Sequence, residues 1–135
     1  MAPPHSDHPA ARTVRDRAQA AARLLAAEGP AAFPRLDQPP FREGDDYVFV
    51  FDLHGTLVAH AVPEYRGVDV RTLRDADDQA FGEAFLAIAL SSAGEGWVDY
   101  RWPRPGRSAP ERKRSYVMRV PGRELGVGAG YHPSE

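Results

Sequence analysis

The 135-residue sequence contains no cysteine. That excludes disulfides, thiol catalysis and thiolate metal sites, and leaves the redox compartment open, because a thiol-free chain tolerates either environment. No apolar run approaches the roughly 18 residues that a membrane span requires, and residues 1–10 are polar and proline-rich with no apolar core after a basic start. The expectation from these absences is a chain with no membrane segment that stays in the cytoplasm. A large excess of one charge is missing too, the formal net charge being −2 and the pI about 6.2. Nucleic-acid binders usually carry a strongly basic balance, so no nucleic-acid partner is expected. Lysine is nearly absent: of 17 Lys and Arg residues, only Lys113 is a lysine.

What is present is 42% hydrophobic content, enough for one globular domain with a core of its own. Residues 1–11 (MAPPHSDHPAA) offer little apolar surface to offset the entropy of ordering. They read as a disordered leader, with His5 and His8 as tail residues rather than metal ligands, and the domain proper runs over 12–132. Charge is segregated along the chain. Residues 43–99 hold twelve acids against three arginines, whereas 100–125 hold eight basic residues against two acids. Arg101, Arg104, Arg107, Arg112, Lys113 and Arg114 form a basic stretch that reads as a solvated hairpin loop.

The apolar spacing of Val14, Ala18, Ala21 and Leu25 predicts a helix from Thr13 to Glu28, ended by Gly29-Pro30. A short helical turn over 31–36 follows. Tyr47 to Phe51 is β-branched and aromatic with apolar residues on both faces, the pattern of a strand covered on each side. Asp52 to Gly55 is a tight turn, and Thr56 to His60 returns as the partner strand. Residues 63–73 read as an irregular crossover. The acidic run at 74–78 lacks the glycine and the twelfth-position glutamate of a calcium loop, so Asp77 or Asp78 is expected to cap a helix over 79–90. Phe81, Phe85, Ile88 and Ala89 form its apolar stripe. Strands at 97–102, 116–120 and 125–132 follow, joined by hairpins. The glycines in the last of them point to a close approach of something to its backbone. The fold class is therefore α+β, five mostly antiparallel strands with helices packed on one side.

Both tryptophans lie in the run from Gly96 to Pro103. In an extended chain Trp97, Asp99 and Arg101 share one face, while Val98, Tyr100 and Trp102 share the other. His60, at the end of an apolar strand, offers an imidazole that donates or accepts near neutral pH. A carboxylate entering a pocket exchanges hydration for charge-assisted hydrogen bonds, which a lysine and tyrosine hydroxyls supply while aromatic walls cover its apolar end. Lys113 with Tyr100, Tyr116 and His60 would suffice. A hydrolase built on His54 or His60 with Asp52 is the enzyme alternative. It lacks a nucleophile elbow, a metal triad and a phosphate loop, since Gly126 to Gly130 has no helix to follow. No catalytic residue, metal or cofactor is expected. A third reading is a ligand-free module in which the helix from Thr13 to Glu28 mediates dimerisation or docking.

Six blocks carry a family resemblance: Tyr47 to Asp52 with Gly55, Leu57 to His60, Gly67, Gly96 to Trp102 with Pro105, Lys113 to Val117, and Val127 to Tyr131. In order and spacing, over roughly residues 12 to 131, they resemble the single Cache domain in its second single-domain variety. The resemblance implies a PAS-like five-stranded sheet behind a long amino-terminal helix, and a sensor that binds small organic molecules, short carboxylates foremost, without catalysing anything. It implies His60, Tyr100, Trp102, Lys113 and Tyr116 as ligand contacts, with Phe49 and Trp97 as pocket wall or core. Met118, which shares a strand face with Tyr116, is a further expected wall residue, and a homodimer through the first helix is a further expected partner. The chain departs from the family in having Ala61-Val62-Pro63 where proline usually follows the histidine, and Val68-Asp69 where asparagine usually follows the glycine. Family members are mostly receptor ectodomains, so a periplasmic location is the alternative to a cytoplasmic one if the chain is a trimmed receptor fragment.

Overall fold

Helix α1 (Pro9–Glu28) begins four residues before the expected Thr13. Proline suits the first helical position, where its missing N–H costs nothing, and His8 caps it by accepting from the Ala10 N–H at 3.1 Å. The computed structural model describes residues 8–133. His5 and residues 1–7 of the expected leader lie outside the described residues. Its remaining residues do not continue as a tail, since Ala11 is helical and fully buried. A 3-10 segment, Gly29–Asp37, succeeds α1 where a shorter turn was expected.

The five strands are β1 (Val48–Asp52), β2 (Leu57–Ala59), β3 (Glu95–Trp102), β4 (Glu111–Arg119) and β5 (Leu125–Tyr131). They pair antiparallel in the order β2-β1-β5-β4-β3. On one face Val48, Val50, Tyr116, Val127 and Ala129 pack beneath Ala11, Val14, Ala18, Ala21 and Leu25 of α1. On the other, Phe49, Phe51, Val98, Tyr100 and Val117 pack beneath Phe81, Phe85 and Ala89 of α2 (Phe81–Leu90). The two helices thus flank the sheet instead of sharing one side. The apolar pattern of β1 requires this, because a strand buried on both faces needs a cover on each.

The capping of α2 also differs from expectation. Its N-cap, Ala80, has no side-chain cap, and neither Asp77 nor Asp78 supplies one. Asp75 takes that part instead: Oδ1 accepts from the backbone N–H of Asp77 and of Gln79, each at 2.9 Å, and Oδ2 accepts from the Arg101 N–H at 3.0 Å. One carboxylate therefore ties the approach to α2 onto edge strand β3. Burial acts to raise its pKa, but the three backbone donors outweigh burial and hold it below the ordinary carboxylate value. Asp75→Ala leaves those donors without an acceptor, so urea unfolding should show a loss of about 3 kcal/mol. A loss under about 1 kcal/mol, the ordinary effect of a surface substitution, would show that the clip contributes nothing.

Candidate functional site

Alternation along the strands sends Tyr47, Phe49, Tyr100, Trp102, Lys113 and Ser115 to the α2 face. Helix α2 adds Phe81 and Phe85, and the crossover adds Tyr65 and Leu73. With Leu57 and His60, the aromatic members enclose a cavity of about 20 Å³, room for about one water molecule. The walls interlock. Phe81 stacks on Tyr100 with ring centroids 4.4 Å apart, and Trp102 lies 4.9 Å from Phe81 and 5.4 Å from Tyr65. His60 sits between Tyr47 at 4.7 Å and Tyr65 at 5.0 Å.

Lys113 is the unusual member. Its side chain is 3% exposed, and Nζ donates to the Tyr47 hydroxyl at 2.8 Å while standing 4.2 Å from the Tyr47 ring centroid and 6.0 Å from that of Tyr100. Burial opposes the ammonium, whereas Tyr100, Tyr47 and the Asp46 carboxylate favour it, and the balance holds its pKa above the ordinary lysine value. The ammonium is therefore charged at neutral pH. Among the described residues no carboxylate pairs with it. A lysine has three N–H donors, and the phenol of Tyr47 occupies one.

The other polar groups are neutral donors. Burial, followed by the nearby charges of Lys113 and Arg66, pushes the His60 pKa down to about 3. Its Nδ1 accepts from the Val62 N–H at 2.9 Å, so the neutral ring carries its proton on Nε2. Tyr100 shares a 2.9 Å hydrogen bond with Ser115 Oγ, and burial pushes its phenol pKa up, keeping the hydroxyl protonated. A charged ammonium against the Tyr47 wall, with an imidazole N–H and phenol hydroxyls at an aromatic box, suits a small anion with a short apolar end.

Of the residues expected from sequence, His60, Tyr100, Trp102 and Phe49 line this cavity, whereas Lys113 is not among its lining residues and reaches it through Tyr47, against whose hydroxyl and ring its Nζ stands. Tyr116, Trp97 and Met118 do not reach it. They pack on the α1 face, where the Tyr116 ring lies 5.2 Å from Trp97 and its hydroxyl donates to Glu95. The cause is parity: Lys113 and Tyr116 are three positions apart in one regular strand, so they point to opposite faces. Tyr47 was legible by the same rule, two positions before Phe49. Phe81 and Phe85 carried a helical stripe that marks packing and ligand walls alike. Tyr65 lies in a crossover without period. The basic stretch is partly neutralised, Arg104 by Asp45 and Glu111 and Arg114 by Asp99. A larger cleft of about 410 Å³, lined by Phe33, Leu36, Val58 and Arg66 among others, shares His60 with the cavity. Among the described residues no group of three His, Asp or Glu is placed to hold a metal, and no helix is long and apolar enough to cross a membrane.

Residues 17–134 match the family model of single Cache domain 2. Over 75 residues, 55% of this chain, the sequence is 38% identical to methyl-accepting chemotaxis protein McpP of Pseudomonas putida, and the match spans 14% of that protein's length. A periplasmic sensor domain of a chemotaxis protein superposes with a TM-score of 0.77 at 28% identity, over 93% of this chain and 95% of that one. A Cache chemosensory domain solved for carboxylic acid recognition gives 0.74 at 26% identity, over 93% and 91%. A methyl-accepting chemotaxis protein of Vibrio parahaemolyticus, at 21% identity and 0.73 over 90% and 86%, repeats the fold. With a family match that covers most of its length and a five-stranded antiparallel sheet behind a long amino-terminal helix, the chain belongs to the single Cache domain family.

Proposed function

We propose that this domain is the sensor module of a chemotaxis-type receptor and that it binds a short carboxylate at Lys113. The observation that carries the reading is the buried, charged ammonium whose hydrogen-bond partner is a neutral phenol. A carboxylate there would gain the unused donors of Nζ, with the hydroxyls of Tyr47 and Tyr100 and the His60 Nε2–H as further donors. Phe49, Phe81, Phe85 and Trp102 would cover its carbon end. The solved Cache domain that recognises carboxylic acid, 26% identical, supports the same chemistry. The role is binding and signal transduction, not catalysis.

The likeness to periplasmic sensor domains favours the periplasmic location over the cytoplasmic one expected from the missing membrane segment. Homodimerisation through α1 would have to use its outer face, with Arg12, Asp16 and Arg23, because the apolar stripe is spent on the sheet.

A cavity of about 20 Å³ does not hold a carboxylate unchanged. Entry requires the crossover residues Tyr65 and Leu73, both partly exposed, to move outward. Thermal unfolding with a panel running from acetate to adipate tests the reading. A true ligand at a hundredfold excess over its Kd should add about 2.7 kcal/mol of stability. A panel in which nothing shifts the transition, and in which calorimetry records no heat, would rule out carboxylate sensing.

A further inference from the structure

Strand β5 presents no side chain to the α2 face at Gly126, Gly128 and Gly130, and a different group fills each gap. The ring of Phe51 lies over Gly126 and that of Phe49 over Gly128. Over Gly130 lies the stem of Lys113. A methyl at that position would stand 2.7 Å from Lys113 Cε and 2.9 Å from the Arg114 carbonyl oxygen, and closer still to Ser115 Oγ. The backbone at Gly130 is ordinary strand without a positive φ, so only space requires glycine there. The topology explains why space matters. Lys113 belongs to β4, the hydroxyl it reaches belongs to Tyr47 beside β1, and β5 runs between those two strands. The ammonium therefore crosses β5, and Gly130 lies under the crossing.

We propose that Gly130 is a positioning residue for the binding site: the missing Cβ lets Lys113 lie across β5 and hold its ammonium against Tyr47, and any side chain at 130 turns the ammonium away. The ligand consequence rests on the carboxylate reading. The position of the ammonium does not, and it can be followed without ligand because Lys113 is the single lysine of the chain.

The test uses trinitrobenzenesulfonate on the whole chain, with peptide mapping to separate Lys113 from the amino terminus, and acetate as binding probe, the smallest carboxylate with an apolar end. Lys113 of the wild type should be protected. In Gly130→Ala its modification should speed up roughly tenfold or more as burial is lost, and acetate affinity should fall roughly tenfold or more. Gly126→Ala, which crowds Phe51 and not the lysine, should destabilise the fold yet change neither readout by more than about twofold. Unchanged protection of Lys113 in a folded Gly130→Ala, or an equal rise in Gly126→Ala, would overturn the assignment. Should Gly130→Ala not fold, the double variant with Lys113→Ala, which removes the crowded stem and leaves the crowding at Ser115 Oγ and the Arg114 carbonyl, is expected to be more stable than the single one. A double variant no more stable than the single one also overturns it. Failure of acetate and of every other acid of the panel to bind the wild type, while Lys113 behaves as described, would reject the carboxylate reading and leave the role of Gly130 standing.

Discussion

Lys113→Met should weaken carboxylate binding by about 2–5 kcal/mol, roughly thirty- to several-thousand-fold, while leaving the ligand-free domain as stable as the wild type or more so. The ammonium is 3% exposed and is held charged by Tyr47, Tyr100 and Asp46, so what the free domain loses with it is offset by the apolar burial that methionine adds. Methionine keeps the length of the stem and fills the same space without a charge to desolvate. A bound carboxylate would then be left in the aromatic box with only neutral donors, and most of its own desolvation would go unmatched. Isothermal titration for affinity and urea unfolding for stability check the pair. If Lys113→Met destabilised the free domain by several kcal/mol and left affinity alone, the lysine would be structural and the proposed site wrong.

Acid should destabilise the domain through His60. Its pKa is about 3 in the folded chain against an ordinary value of 6.5. The unfolded state therefore binds the proton first as pH falls. The stabilisation is fully present above about pH 6.5 and is lost progressively down to about pH 3. At about 1.4 kcal/mol per pH unit the whole window is worth up to about 5 kcal/mol. The comparison is cleanest between pH 6.5 and 4.5, above the range in which ordinary carboxylates take up protons. His60→Gln retains an acceptor for the Val62 N–H. It should start less stable at pH 7 and then lose less stability over that interval, seen as a flatter plot of unfolding free energy against pH. Parallel slopes for the two proteins would remove His60 as the cause. The same neutrality serves binding, because an uncharged imidazole donates through Nε2 without an anion needed to hold it.

Much of the architecture was legible from periodicity. The β1–β2 hairpin, the α1 stripe, the crossover and the three-strand carboxyl half follow from alternation, turn residues and three- and four-residue apolar steps, and the structure repeats them. The division of β3, with Tyr100 and Trp102 on one face and Trp97 on the other, came from parity alone. Parity applied as strictly to β4 would have separated Tyr116 from Lys113. What sequence spacing could not reach were contacts between remote segments. Asp75 accepts locally from the N–H groups of Asp77 and Gln79, but its third donor, the Arg101 N–H, is met only once β3 lies beside it. Tyr65 becomes a wall only once the crossover folds over His60.

The sequence by itself determined the fold class, the strands and their inward faces, because side chains of one strand have only two directions to take and burial selects one. It also determined that a single lysine would carry any ammonium in the core. Only the tertiary structure decided that α1 and α2 cover opposite faces, that β1 and β4 are joined across β5 by the reach of Lys113 to Tyr47, and that glycine at 130 leaves the space for it. Those features depend on which strands become neighbours. Strand order is set by the summed burial of both faces, a property that no single segment contains.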